Sequence, residues 1–194
     1  MRKIALFLTI AFFLLACSND ETGKQETVHQ HDFVAGTEAK DTTKKSIPSE
    51  TTKTIAGTEI KINYHAPAVR GRVIWGGLVP YDAVWVTGAH SATTLETGKD
   101  FKVGSKLVPA GKYALFTIPG KEEWTVIVNK NWNQHLTDDY SESEDLVRVK
   151  VKPGVTNEIT ERLKYEIEQT GDRAAAIIIS WEKIRVSFPI ELSN

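Results

Sequence analysis

The residues of this chain that could do chemistry are concentrated in one stretch, residues 64–94. Arginine guanidinium groups bind carboxylates and phosphates through paired N–H donors, and aromatic rings offer flat faces to sugars and other rings. Long loops on a rigid scaffold commonly carry such groups. The stretch therefore predicts a loop that binds a small polar ligand, a glycan or an envelope protein. The candidate ligand-binding residues are Arg70, Arg72, Tyr81, Trp85, Thr87 and His90.

A purely structural interpretation of the same stretch stays open. Trp75 and Trp85 could close the ends of the scaffold, while Arg70 and Arg72 could pair with nearby carboxylates. A binding loop points its polar ends into one cleft, whereas scaffolding scatters them into separate contacts.

His90 is the candidate acid or base, since histidine changes charge near neutral pH. His65 and His135 are possible companions, although nothing in the spacing places the three together. The sequence contains no His-Glu-x-x-His run, no Gly-x-Ser-x-Gly elbow and no Gly-rich phosphate loop, so it predicts neither a metal nor a cofactor. An envelope hydrolase, with His90 as acid or base and Arg70 or Arg72 steadying negative charge, is the alternative to a binding protein.

The elements that must position these residues are strands. Apolar and polar residues alternate in residues 59–64, 147–152, 163–168 and 184–191, which predicts half-buried strands. Residues 113–118, 124–129 and 174–181 are apolar on both faces and predict more central strands. We expect an all-β domain over residues 54–194, an antiparallel β-sandwich of Greek-key or jelly-roll type with about nine strands.

Short connections support this fold. Gly104-Ser105 separates Phe101-Lys102-Val103 from Lys106-Leu107-Val108 and predicts a two-residue hairpin of type II′. Pro119 to Glu122 and Trp181 to Lys183 predict further turns between strands, and Asn157 to Arg162 could form one short helical turn.

The amino terminus predicts a lipoprotein signal peptide over residues 1–16. Arg2 and Lys3 precede an apolar run that ends at Ala16, and this run is too short for a transmembrane helix, which needs about 20 residues. Leu14-Leu15-Ala16-Cys17 resembles the lipobox of bacterial lipoproteins, in which the cysteine is lipidated. Cys17 is the only cysteine, so we expect no disulfide in the mature protein.

Residues 17–53 are rich in Ser, Thr, Lys and Glu and predict a disordered, lipidated tether. We expect the protein in the cell envelope, at the outer membrane. Ser18-Asn19-Asp20-Glu21 resembles the acidic tag that sends some lipoproteins to the cell surface, and a solvated charge pair is the alternative interpretation. His29, His31 and Asp32 could bind a metal ion, but a disordered segment fixes no geometry for one.

Charge excludes one class of partner. The formal net charge is −1, and it becomes −3 when Arg2 and Lys3 leave with the signal peptide. Such a balance predicts no nucleic-acid partner. A structural spacer in the envelope is a further alternative, because such a protein needs no site.

Several motifs together resemble a known bacterial lipoprotein family, the one catalogued as domain of unknown function 2911. They are Tyr64 with Pro67 and Gly71-Arg72, then Pro80-Tyr81, Trp85-Val86-Thr87-Gly88-Ala89 and Pro109-Ala110-Gly111-Lys112-Tyr113. Ala66, Val86 and His90 stand where many members carry arginine, arginine and asparagine. The resemblance implies a fold and a location, and it implies no reaction.

Overall fold

The computed structural model describes residues 45–194. The predicted signal peptide, Cys17 and residues 18–44 of the predicted tether, with His29, His31 and Asp32, lie outside the described residues. A 3₁₀ turn at Glu142–Glu144 is the one helical element within 45–194, and none of these residues forms a helix long and apolar enough to span a membrane. The strands are β1 (Ile47–Ile55), β2 (Thr58–Ala66), β3 (Thr94–Thr97), β4 (Phe101–Val103), β5 (Lys106–Val108), β6 (Gly111–Ile118), β7 (Trp124–Asn129), β8 (Asp145–Val151), β9 (Gly154–Gln169) and β10 (Ala174–Leu192).

These ten strands form two antiparallel sheets, which confirms the predicted all-β sandwich. The larger sheet has the order β1-β2-β3-β6-β7-β8 and the smaller one the order β5-β4-β10-β9. The period-two pattern gives the core directly, since Ile60 and Ile62 of β2 and Phe188 and Ile190 of β10 are all buried in one cluster between the sheets. The polar residues between them face the other way.

The predicted hairpin at Gly104 is confirmed. Residues Phe101–Val103 pair with Lys106–Val108, and Gly104 has a φ of 60°. A positive φ at the first turn residue suits a type II′ turn, which matches the twist of the two strands.

The predicted turn at Trp181 to Lys183 is wrong, because β10 runs through it without a break. The register of β10 against β9 shifts on both sides of Glu182, whose φ is 54°. An extra residue of this kind is a β-bulge, which bends a strand without ending its pairing. Asn157 to Arg162 also lies within a strand, β9, at the edge of the smaller sheet.

The ordered domain begins earlier than residue 54. Strand β1 starts at Ile47 and pairs with β2 along its whole length, from Ile47 opposite Ala66 to Ile55 opposite Thr58. It is an edge strand, and most of its side chains are polar and exposed, so its composition resembles that of a tether.

The loop of residues 67–93 joins β2 to β3 and is fixed by backbone hydrogen bonds to both sheets. Trp85 exchanges two such bonds with Thr117 of β6, at 2.7 and 3.0 Å. At its beginning, the Pro67 carbonyl accepts a bond from Leu163 of β9. This loop, which contains most of the candidate residues, is therefore part of the scaffold rather than a free appendage.

Candidate functional site

Four tryptophans form one cluster at the loop of residues 67–93. Trp85 stacks on Trp181 of β10, with ring centres 5.7 Å apart and ring planes at 17°. Trp75 meets Trp85, Trp124 and Trp181 edge to face at 5.8, 5.0 and 5.9 Å. Offset stacks and edge contacts of this kind are the favoured geometries of aromatic pairs. Trp124 belongs to β7 and Trp181 to β10, so the cluster joins the two sheets through the loop.

A cavity of about 430 Å³, here called the first cavity, opens above this cluster. Trp85 and Trp181 of this cluster line it, and so do the exposed side chains of Leu78 and Leu136. Pockets of this size accommodate small molecules. The remaining lining residues are Lys45, Ser46, Pro67, Ala68, Arg70, Arg72, Val79, Val86, Gly88, Ala89 and Thr137.

The charged groups of the first cavity are all positive. Lys45, Arg70 and Arg72 line it, and no aspartate or glutamate of residues 45–194 does. Glu161 lies close to the loop, and its Oε1 accepts a hydrogen bond from the Arg70 backbone N–H at 2.9 Å. A protein of net negative charge thus has a cavity that favours anions.

Arg72 has two roles in this geometry. Its Nε donates to the Val69 carbonyl at 3.1 Å and its Nη2 to the Ala68 carbonyl, which fixes the start of the loop. Within residues 45–194 no carboxylate pairs with Arg72, and its Nη1 makes no hydrogen bond. The guanidinium is therefore held rigidly and keeps a donor that a ligand could use.

Arg70 sits beside it in a left-handed backbone conformation, with φ of 53°. Few residues other than glycine, asparagine and aspartate adopt this region readily. The conformation belongs to a turn that continues into Gly71, whose φ is 64°.

Tyr81 and Thr87 lie outside the lining of the first cavity. Tyr81 is half-buried, with Lys121 Nζ 5.9 Å from its ring centre, and its ring lies where a side chain on Gly76 would be. Thr87 is fully buried, and its hydroxyl lies 2.9 Å from that of Thr117. Both residues support the loop, one from its surface and one from the interior.

His90 is exposed and also lies outside the first cavity. Its ring meets that of His65 edge to face at 5.1 Å, and its carbonyl accepts a bond from the Leu136 N–H at 2.6 Å. Burial, and in second place the charge of His90, lower the pKa of His65. Among residues 45–194 no group of three or more His, Cys, Asp or Glu side chains is placed to hold a metal ion.

A second cavity of about 490 Å³ lies beyond His90. His65 and His135 both line it, so the structure brings the two together, although their sequence separation gave no sign of this. His135 Nδ1 also lies 2.9 Å from Asp138 Oδ2, in an exposed hydrogen bond. The two cavities share no lining residue.

The structure thus brings Arg70, Arg72 and Trp85 of the predicted site together and leaves Tyr81, Thr87 and His90 elsewhere. Sequence reasoning missed Trp181, Leu136 and Lys45. Trp181 was assigned to the junction of a strand and a turn and Lys45 to the tether, and Leu136 lies in a polar loop. The one available signal for Trp181 was the glutamate after it, which interrupts an apolar run. Such an interruption can mark a β-bulge, and bulges often occur beside functional sites.

Comparisons with known proteins identify one matching family. The family described as "Protein of unknown function (DUF2911)" matches residues 46–190. No curated protein and no solved structure matches the chain.

Proposed function

Since the chain belongs to the family described as a protein of unknown function (DUF2911), which supplies no activity, we propose a function from the geometry of the first cavity. We propose that the protein is a non-enzymatic binding protein and that this cavity takes a small amphipathic anion. Such a ligand has an apolar or aromatic body and one acidic group.

The observation that carries this proposal is the combination of charge and ring surface in the first cavity. Arg70 and Arg72 line it together with Trp85 and Trp181, and no carboxylate among the described residues does. An acidic group would meet the guanidinium donors while the ligand body packs on the indole rings. A ligand of the opposite charge would meet three cations and gain no partner.

The hydrolase alternative has less support from the geometry. Catalytic histidines are usually oriented by a hydrogen-bonded carboxylate and face a nucleophile or water in a cleft. His90 is exposed and its ring meets another histidine, His65. The spacer alternative accounts for the fold but gives no reason for a cationic cavity over stacked rings.

We also propose that the domain works at a membrane, held by lipid on Cys17. This rests on the lipobox resemblance of Leu14 to Cys17 and on the polar segment after it. Several acyl chains on one cysteine would give stable anchoring, since a single chain binds only marginally. The proposed location is the envelope of the cell, at its outer membrane.

The ligand class is tested with two matched probes, 1-naphthylacetate and 1-naphthylacetamide. They share a ring system, but the first carries a charged carboxylate where the second carries a neutral amide. Isothermal titration is carried out on the full-length protein in a polyoxyethylene detergent. A charge-assisted hydrogen bond contributes about 1.5–3 kcal/mol, so we expect the acetate to bind about 10- to 150-fold more tightly than the amide.

Arg70→Asn tests the role of the positive charge, because asparagine suits the left-handed backbone and carries no cation. We expect this variant to lose most of the preference for the acetate. Arg185→Asn, an exposed arginine of β10 that lines neither cavity, is the matched control and should keep the preference. Equal affinities of the two probes for the unaltered protein would refute the proposed ligand class.

The anchor has a separate test. Cys17→Ser should abolish incorporation of labelled fatty acid and release the protein from membranes. A variant that remained labelled and membrane-bound would contradict the lipobox assignment.

A further inference from the structure

The second cavity differs in chemistry from the first. Its lining offers amides and hydroxyls instead of guanidinium groups, and no carboxylate of the described residues lines it. The lining residues are Pro48, Ser49, Asn63, Tyr64, His65, Ser91, Ala92, Thr94, Lys112, Trp132, Asn133, Gln134 and His135.

Two of these residues hold polar atoms without a partner. Thr94 Oγ1 and Gln134 Oε1 are buried and make no hydrogen bond with any described residue, although both side chains line the cavity. The residues are only 6% and 7% exposed. Buried polar atoms are nearly always paired, and each exception calls for an explanation. Two exceptions in one cavity point to a ligand that supplies hydrogen-bonding groups there.

Both atoms have almost no exposed surface of their own, so a ligand would reach them after a side-chain rotation. Gln134 is already held through its Nε2, which donates to the Asn131 carbonyl at 2.6 Å. The Thr94 hydroxyl makes no hydrogen bond with a described residue. Its rotation breaks no hydrogen bond.

Trp132 supplies a flat surface at the same cavity. It is 39% exposed, in contrast to the clustered tryptophans, and Lys112 Nζ lies 4.3 Å from its ring centre. With the lysine over one face, the indole keeps open surface for a ligand. An exposed ring next to amides and hydroxyls suits a molecule that has both an apolar face and many hydroxyl groups.

We propose that the second cavity is a saccharide-binding site. A sugar ring packs its C–H face on Trp132, and its hydroxyls, each able to donate and to accept, pair with Gln134 Oε1 and Thr94 Oγ1. The site is distinct from the first cavity, because the two cavities share no lining residue.

The test uses the full-length protein in a polyoxyethylene detergent, which carries no sugar group. Glucose, galactose, mannose, N-acetylglucosamine and glucuronate, each also as an oligosaccharide, are screened by saturation-transfer NMR, and the best binder is titrated. Thr94→Val is the decisive variant, since valine has the same shape and lacks only the unpartnered hydroxyl. We expect its affinity for the sugar to fall about two- to tenfold while the unfolding midpoint stays the same or rises.

Trp132→Ala should lower the affinity for the sugar about tenfold. Thr54→Val, at an exposed position of β1, is the control for threonine replacement and should change nothing. The proposal is overturned if no saccharide binds, or if Thr94→Val and Trp132→Ala leave the affinity unchanged. Naphthylacetate binding should be unaffected by both variants, and sugar binding by Arg70→Asn, so failure at one cavity is told apart from failure at the other.

Discussion

The carbonyl of Thr87 ties the loop of residues 67–93 to the core, and removing its donors tests that role. It accepts one hydrogen bond from the Tyr165 hydroxyl at 2.9 Å and another from the Thr93 hydroxyl at 3.1 Å. All three residues are buried, with relative exposures of 0% for Thr87 and Thr93 and 2% for Tyr165. Tyr165→Phe and Thr93→Val each remove one donor and keep the side-chain shape.

Each single variant leaves the carbonyl with one side-chain donor. A buried hydrogen bond contributes about 1 kcal/mol net, so each should lower the free energy of unfolding by about that amount. The double variant removes both side-chain donors, which adds a desolvation cost of about 1–3 kcal/mol. We therefore expect the double variant to lose about 3–5 kcal/mol, more than the sum of the single losses.

Urea unfolding of the three variants and the unaltered protein gives this coupling directly. Gly88 and Ala89, next in the chain, line the first cavity, so the affinity for naphthylacetate should also fall most in the double variant. Strictly additive losses, with naphthylacetate binding unchanged, would show that the Thr87 carbonyl does not hold the loop.

Three further predictions concern stability. Burial, followed by the hydrogen bond to Asp145, raises the pKa of Tyr140 from 10.0 to about 12. The folded state thus holds the phenol proton more tightly than the unfolded state. The stability that Tyr140 adds is therefore complete below pH 10 and lost as pH rises to about 12. Urea unfolding of the unaltered protein and of Tyr140→Phe across this pH range measures that contribution as the difference between their free energies of unfolding. Asp145 accepts hydrogen bonds from Asn129, Tyr140 and Arg148, so Asp145→Ala should cost about 3 kcal/mol in the same assay at neutral pH, and a loss below 1 kcal/mol would contradict this. Ala56 has a φ of 49° in the turn between β1 and β2, so Ala56→Asn should raise the free energy of unfolding by about 0.5–1 kcal/mol, and a fall would show that the turn relaxes differently.

The sequence predicted the sheets well because burial on one face imposes a period of two. The pairs Ile60 and Ile62, and Phe188 and Ile190, must face the core, since a register shift of one residue would turn each pair toward solvent. Strand β1 escaped prediction because it is an edge strand whose side chains are mostly polar and exposed, so it lacks the buried alternate residues that mark the other strands. The bulge at Glu182 escaped because a turn and a bulge use the same residue types.

The candidate site was predicted in part for a similar physical reason. Arg70, Arg72 and Trp85 are close in sequence, so one loop brings them together. Trp181 and Leu136 reach the same cavity from elements far along the chain, and only tertiary contacts can reveal this. Thr87 was a candidate because of its polar type, yet its hydroxyl is buried against Thr117.

The distribution of the five tryptophans has an optical consequence. Four of them are close enough to exchange excitation energy, so their emission reports as one signal on the region around the first cavity. Trp132 stands apart beside Lys112 at the second cavity and gives its own signal. Comparing the emission of the unaltered protein with that of Trp132→Phe separates the two. The chain therefore carries an intrinsic fluorophore at each cavity, and ligand occupancy of each cavity can be followed without an added label.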